Sequence, residues 1–236
     1  LISLFLLLAA GLAILSSAGI AQSQRNFNQS YYYFWHQFLY GVLPGLLLFF
    51  IASRIKTVWW RKFSLPLLLF SISLLILVFV PGIGISAKGA SRWIDARFFS
   101  FQPSEILKLT MILYLSAWFS KNLSLKGVNS STLAPFVLIL GFVGLLLAIQ
   151  PDIGTMIAIS AIAFIMFFVS GAKFKHIFTL GAVGLVLLLG LVYLAPYRWQ
   201  RLMTFINPSE DVKGASYHLN QSLISIGSGG LTGVGY

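Results

Sequence analysis

Seven long apolar runs dominate this sequence, at roughly residues 1–20, 36–53, 64–82, 105–120, 132–150, 153–171 and 174–195. A helix needs about 20 mostly apolar residues to cross a hydrocarbon layer ~30 Å thick. Each run is near that length, and none shows the alternation of ~10-residue barrel strands. Lipid offers no partner for backbone N–H and C=O groups, so such runs are expected to be helices. The expected fold is therefore all-α, a polytopic transmembrane helix bundle forming one domain over residues 1–236. The charge content agrees. Only 9% of the 236 residues are charged and 58% are hydrophobic, whereas a soluble domain carries roughly 25% charged residues. Too few charges remain to cover a surface facing water. The fifth and sixth runs are separated only by Pro151 and Asp152, which predicts a tight helical hairpin.

The chain opens at Leu1 inside an apolar run and closes at Tyr236 after a glycine-rich stretch, so a piece truncated at both ends is expected. A signal peptide over residues 1–20, suggested by Ser16, Ser17 and Ala18, is the lesser alternative, because six more runs follow.

Orientation follows from where Lys and Arg fall. Arg54, Lys56, Arg61, Lys62, Lys121, Lys126, Lys173 and Lys175 crowd short loops without an acid. That set is expected to be cytoplasmic. The opposite loops, 83–104 and 196–236, are long. They hold Lys88, Arg92, Arg97, Arg198, Arg201 and Lys213, and all five acids lie in outer loops or at outer helix ends. Mixed charge gathered on one face suggests a site there. The net charge of +11 is scattered between apolar runs, which favours anionic lipid or an anionic lipid-linked substrate over nucleic acid. There are no cysteines, and His36, His176 and His218 show no metal-ligand spacing. No metal site is expected from the residues. No cofactor is readable either, though a divalent cation is compatible with the chemistry considered below.

Two run starts rhyme: Gln102-Pro103-Ser104-Glu105 and Gln150-Pro151-Asp152-Ile153-Gly154-Thr155. Ser104 and Asp152 are each expected to cap free backbone N–H groups. Both helix starts then open on the outer face, where the positive dipole end favours an anion. The plainer alternative is ordinary capping. Glu105 and Lys108, spaced i, i+3, share a helical face and either line a polar cavity or lock two helices together. Arg92 offers a planar fork for phosphate oxygens. Trp93 suits a sugar face or the headgroup interface. The run Gly227-Ser228-Gly229-Gly230-Leu231-Thr232-Gly233 is either an anion nest or a flexible loop, and residues 217–226 are expected to form a short amphipathic piece. No Ser-His-Asp arrangement is readable, and Asp152 is the one weak candidate for a general base.

These motifs together resemble the SEDS family (shape, elongation, division and sporulation; FtsW, RodA and SpoVE). Lys88-Gly89-Ala90-Ser91-Arg92-Trp93-Ile94 with Phe101 to Glu105 and Lys108 resembles its signature loop, and Gln150 to Thr155 resembles its second motif. Tyr197, Arg198, Gln200-Arg201-Leu202, Asn207-Pro208, and Gln221-Ser222 through Leu231 resemble its large outer loop. Gly233-Val234-Gly235-Tyr236 leans toward the FtsW branch. Ser91, His218 and Val234 depart from common family choices. The resemblance implies about ten spans in the full protein, multi-pass in the bacterial cytoplasmic membrane. It implies a peptidoglycan glycosyltransferase that polymerises lipid II outside that membrane during division or elongation. A class B penicillin-binding protein and other divisome or elongasome membrane proteins are the implied partners.

By the same resemblance, Arg92, Glu105, Lys108 and Asp152 line the substrate cavity, and with Trp93, Gln102, Ser104, Gln150, Thr155, Gln221, Ser222, Gly227, Gly229 and Gly230 they make up the expected substrate-binding set. The carboxylate proposed as catalytic in the family follows Tyr236, so residues 1–236 alone are expected to be inactive. A lipid II transporter (flippase) and a non-catalytic scaffold for the penicillin-binding protein are the alternative functions.

Overall fold

The computed structural model describes residues 1–87, 90–95, 100–122, 130–206, 216–230 and 233. Each apolar run is helical, as the absence of backbone partners in lipid requires. The chain divides into two compact units, residues 1–59 and 60–235.

The first unit contains α1 (Ile2–Ala18), α2 (Ile20–Phe27), α3 (Tyr32–Gln37), a π-helical turn at Phe38–Val42, and α4 (Leu43–Arg54). Helices α1 and α2 meet at a 56° bend. The bend falls at Gly19, where a Cβ would approach the Leu15 carbonyl oxygen to 2.6 Å, so only glycine fits. Asn28 ends α2 in the left-handed conformation at φ 57°, a role Asn tolerates. The π turn has a cause in Pro44, which lacks the N–H that would bond Tyr40 O in an α-helix. Helix therefore runs unbroken from Tyr32 to Arg54, four residues earlier than the apolar run alone suggests.

The second unit holds α5 (Thr57–Leu77, which starts at the boundary), α6 (Pro103–Asn122), α7 (Ser130–Ile149), α8 (Ile153–Val169), α9 (Phe174–Tyr193), α10 (Pro196–Ile206) and α11 (Tyr217–Gly229). Among the described residues, Tyr32–Arg54, Thr57–Leu77 and Phe174–Tyr193 are long and apolar enough to cross a membrane, as is the bent pair α1–α2 taken together. Leu133–Ile149 and Ile153–Val169 are apolar but shorter.

The core lies among α5 to α8. Leu107, Met111, Leu115 and Phe119 form one stripe of α6, and Met156, Ile159, Ala163 and Phe167 form one of α8. Steps of three and four residues place each set on a single helical face. Leu68 and Leu75 from α5 and Phe136, Val143 and Leu147 from α7 close the cluster. Phe136 stacks on Phe167 at 4.9 Å between ring centres, and Phe119 lies 5.7 and 5.9 Å from the two. Large apolar side chains such as Leu138, Ile165 and Val186 are exposed. In a bilayer that exposure costs nothing, and helix association rests on packing and interhelical hydrogen bonds. One such bond joins Ser71 Oγ of α5 to Thr110 Oγ1 of α6 at 2.7 Å.

Two long connections carry more structure than the sequence pattern indicates. Segment 83–104, read as a loop, contains an antiparallel three-stranded sheet, β1 (Gly84–Ala87), β2 (Ala90–Asp95) and β3 (Ser100–Phe101), in the order β1-β2-β3. Its strands are shorter than the windows in which alternation can be recognised. A Cβ at Gly84 would collide with the Val78 carbonyl oxygen, so glycine permits the tight return from α5 into β1. Segment 196–236 contains α10 and α11. Helix α11 covers the expected amphipathic piece and continues through Gly227, Ser228 and Gly229, so these residues are helical and not part of an open nest. Lys88, Gly89, Arg97, Lys126, Asn207, Pro208, Glu210, Asp211, Lys213, Leu231, Thr232, Val234, Gly235 and Tyr236 lie outside the described residues.

Candidate functional site

The two rhyming motifs meet at the turn between α7 and α8. Asp152 is the N-cap of α8, and its Oδ1 accepts from the Thr155 backbone N–H at 3.4 Å. Its other oxygen, Oδ2, accepts from Gln102 Nε2 at 3.0 Å. The second motif's aspartate thus binds the first motif's glutamine across 50 residues of sequence. Thr155 contributes its backbone, not its hydroxyl, to this bond.

The start of α6 differs from the expected pattern. Helix begins at Pro103, because proline's fixed φ suits the first helical position. Gln102 therefore holds the cap position, and its carbonyl accepts from Glu105 N at 3.0 Å. Ser104 falls inside the first turn and does not cap. Its hydroxyl is buried and has no hydrogen-bond partner.

The end of α7 is held with equal care. The last carbonyls of a helix lack intrahelical donors, so they need donors from the turn or from neighbouring segments. Leu146 O accepts from Gln150 N at 3.1 Å and Leu147 O from Asp152 N at 2.9 Å. Ala148 O accepts from Arg198 Nη2 at 2.9 Å. Gln150 O accepts from Arg92 Nε at 3.3 Å, and Pro151 O accepts from Arg92 Nη2. Two guanidiniums from distant segments thus cap one helix end, where positive charge also complements the dipole. Gln150 itself is buried and donates from Nε2 to Leu75 O near the end of α5 at 2.9 Å.

Arg92 accordingly differs from the expected free fork, since two of its donors are committed to carbonyls. Arg92 is the extra residue of a β-bulge opposite Ile85 and Ser86, where regular alternation is interrupted, and Trp93 beside it is 42% exposed. Glu105 and Lys108 pair at 2.8 Å on α6, with side chains 59% and 30% exposed. They lie within two turns of Gln102 and are the accessible charges beside the turn. The structure therefore brings together Arg92, Gln102, Gln150, Asp152 and Thr155, with Ser104, Glu105 and Lys108 alongside. Gln221, Ser222, Gly227 and Gly229 belong to α11, and Gly230 follows it at φ 53°. Among the described residues no three His, Asp or Glu side chains gather to hold a metal ion.

Arg198 is the residue that sequence reasoning missed as part of this site. The sequence placed it in an outer loop, among the residues that resemble the family's large outer loop, without linking it to the α7–α8 turn. The available signal was indirect: a two-residue turn between spans strands several carbonyls, and the arginines of neighbouring loops are the donors at hand.

The comparisons with known proteins agree with this architecture. The sequence matches the cell cycle protein family FtsW/RodA/SpoVE over residues 1–236. It is 35% identical over 225 residues to the probable peptidoglycan glycosyltransferase FtsW of Geobacter sulfurreducens, covering 95% of this chain and 60% of that protein. It is 37% identical over 234 residues to the stage V sporulation protein E of Bacillus subtilis, covering 98% and 63%. The chain thus spans about 60% of the length of these relatives. Its fold is similar to a chain in the solved structure of a peptidoglycan synthase complex coordinating polymerization and crosslinking, with TM-score 0.68 and 29% identity over 94% of this chain and 66% of that one. It is also similar to the crystal structure of the rod shape determining protein RodA of Thermus thermophilus, with TM-score 0.59 and 27% identity over 77% and 58%. The chain is a multi-pass membrane helix bundle and belongs to the FtsW/RodA/SpoVE, or SEDS, family.

Proposed function

We propose that the full-length protein is an FtsW-like peptidoglycan glycosyltransferase that polymerises lipid II at the outer face of the bacterial cytoplasmic membrane. A class B penicillin-binding protein is its partner in this reading. Family membership supports it, as do the names of the relatives. The observation within the chain that carries it is the accessible Glu105–Lys108 pair beside two joined helix starts.

The reaction joins an acceptor sugar hydroxyl to the donor's anomeric carbon, while the bond from that carbon to the lipid diphosphate breaks. The hydroxyl proton passes to a base, and the diphosphate departs with the negative charge. Lys108 is half-buried at the first turns of α6, so its ammonium and the positive end of the helix act together on that charge. Glu105 holds the ammonium in place. Asp152 is poorly suited to be the base, because it is buried and both of its oxygens already accept hydrogen bonds. We assign it to holding the two helix starts together, and the base to a carboxylate following Tyr236.

The test is polymerisation of lipid II by the purified full-length protein with its transpeptidase partner. Replacing Lys108 by Ala is expected to lower the rate by about 10²-fold, the cost of losing one group that stabilises developing charge. A rate unchanged in that variant overturns the assignment of Lys108. Saturable lipid II movement across vesicles without polymer overturns the polymerase reading in favour of a transporter.

A further inference from the structure

Helix α9 packs at the edge of the core of its unit, where Ile177, Leu180, Leu188 and Leu191 lie partly buried against the cluster. None of its residues is fully buried, and its packing partners are α8 and α10. Between α7, α8 and α9 lies an apolar groove of 640 Å³, floored in part by Gly141 and Gly144 of α7 and by Gly181 and Gly184 of α9. Small residues here leave space where larger ones fill it. Dispersion contacts therefore hold α9 to α7 weakly, since a gap forfeits them outright.

Arg198 bridges that gap. Its Nη1 donates to Leu191 O of α9 at 3.0 Å and its Nη2 donates to Ala148 O of α7 at 2.9 Å. Both acceptors belong to residues that line the groove. Both also lie among the last four residues of their helices, where carbonyls lack an intrahelical donor. Gly190 O and Val192 O, on either side of Leu191, are taken by the backbone N–H groups of Leu194 and Ala195. A planar guanidinium serves two carbonyls on separate helices at once, which an ammonium does less well. The residue sits in the first turn of α10 and is half-buried.

We propose that Arg198 is a positioning residue: it latches the end of α9 to the end of α7 and thereby fixes the groove's width there and the α7–α8 turn that presents Asp152. The latch carries no chemistry itself. It acts through Ala148, four residues before Asp152, and through α9, which has no other polar tie to α7 among the hydrogen bonds of the described residues. Arg92 holds the same turn from the sheet side without touching α9, so the two arginines have separable duties. The consequence for turnover rests on the polymerase reading given above; the consequence for geometry does not.

The experiment is a spin-label distance measurement on the full-length protein in lipid nanodiscs. Residues 1–236 contain no cysteine; with any cysteine elsewhere in the full-length protein replaced by Ser, labels are introduced at Ile149→Cys and Leu194→Cys, which are 58% and 80% exposed. One narrow distance is expected in the parent. Arg198→Ala is expected to give a broader and longer distribution, Arg198→Lys an intermediate one, and Arg92→Ala the parent's. A parent-like distribution in Arg198→Ala overturns the latch, as does equal broadening in Arg92→Ala. Where Arg198→Ala yields no folded protein, Arg198→Lys decides alone: broadening supports the latch and the parent distribution overturns it. Lipid II polymerisation is measured in parallel. Loss in Arg198→Ala that is restored by a short bifunctional crosslink between the two cysteines is the expected result. A broadened distance in a protein whose parent does not polymerise lipid II leaves the latch standing and removes the polymerase reading.

Discussion

Gln102 Nε2 lies 3.0 Å from Asp152 Oδ2 and donates to it. This contact makes the two Gln-Pro motifs halves of one structure: the residue before α6 satisfies the carboxylate that caps α8. An aspartate at a helix start needs only one oxygen for the cap. The second oxygen, buried, needs a donor of its own, and among the described residues it receives an amide from the other motif.

Asp152→Ala removes the cap and leaves Gln102 Nε2 without its acceptor. The expected loss is about 1 kcal/mol for the cap and a further ~1–3 kcal/mol for the stranded amide. Asp152→Asn is expected to retain most of the stability, since its Oδ1 still accepts from Thr155 and Gln102 is able to turn its amide. Thermal unfolding of the full-length protein compares the two. The same pair separates support from base catalysis. Polymerisation by Asp152→Asn within ~10-fold of the parent fits support, whereas general-base loss runs to about 10²–10⁴-fold.

The Glu105–Lys108 pair makes the opposite prediction. Glu105 is 59% and Lys108 30% exposed, and a pair open to solvent on one side contributes about 0–1 kcal/mol. Glu105→Gln is therefore expected to unfold within that range of the parent, while polymerisation falls because the Lys108 ammonium is no longer held. A large drop in thermal stability with normal activity reverses the assignment and makes the pair a helix lock.

The sequence exposed some of this and hid the rest for identifiable reasons. Every apolar run is a helix because lipid leaves its backbone no other partner. Asp152 was legible as a cap because capping is a local event, three residues long. Ser104 was misread because the proline before it occupies the first helical position and shifts the cap to Gln102. The strands at 84–87 and 90–95 are short and pair locally, with too few residues to show a period. Arg92 and Arg198 reach carbonyls 58 and 50 residues away. No spacing rule records such contacts, because their cause is a shortage of donors at a turn and not a pattern along the chain.

Neighbouring phenylalanines in α8 give a test of which face packs. Phe167 is fully buried between Phe119 and Phe136, whereas Phe168 is 53% exposed. Phe167→Ala opens a cavity that lipid cannot fill and is expected to cost about 3 kcal/mol, the lower end for such truncations. Phe168→Ala is expected to cost much less, because acyl chains replace the lost contacts. Equal effects in denaturant unfolding place the wrong face of α8 toward the core.

The Ser71–Thr110 bond between α5 and α6 is expected to contribute little despite its 2.7 Å length. Ser71 Oγ also lies 2.8 Å from Leu68 O, and Thr110 Oγ1 lies 3.2 Å from Leu107 O. Each hydroxyl has a single proton to donate. Two protons thus serve three contacts, and one hydroxyl gives up its own helix carbonyl to make the interhelical bond. Removing either partner returns the other to its carbonyl, so no buried donor is stranded. A double-mutant cycle with Ser71→Ala and Thr110→Val is expected to give a coupling near ~0.6 kcal/mol, the average for interhelical bonds in membranes. A coupling above ~2 kcal/mol contradicts the shared-proton account and makes this pair the principal polar tie between α5 and α6.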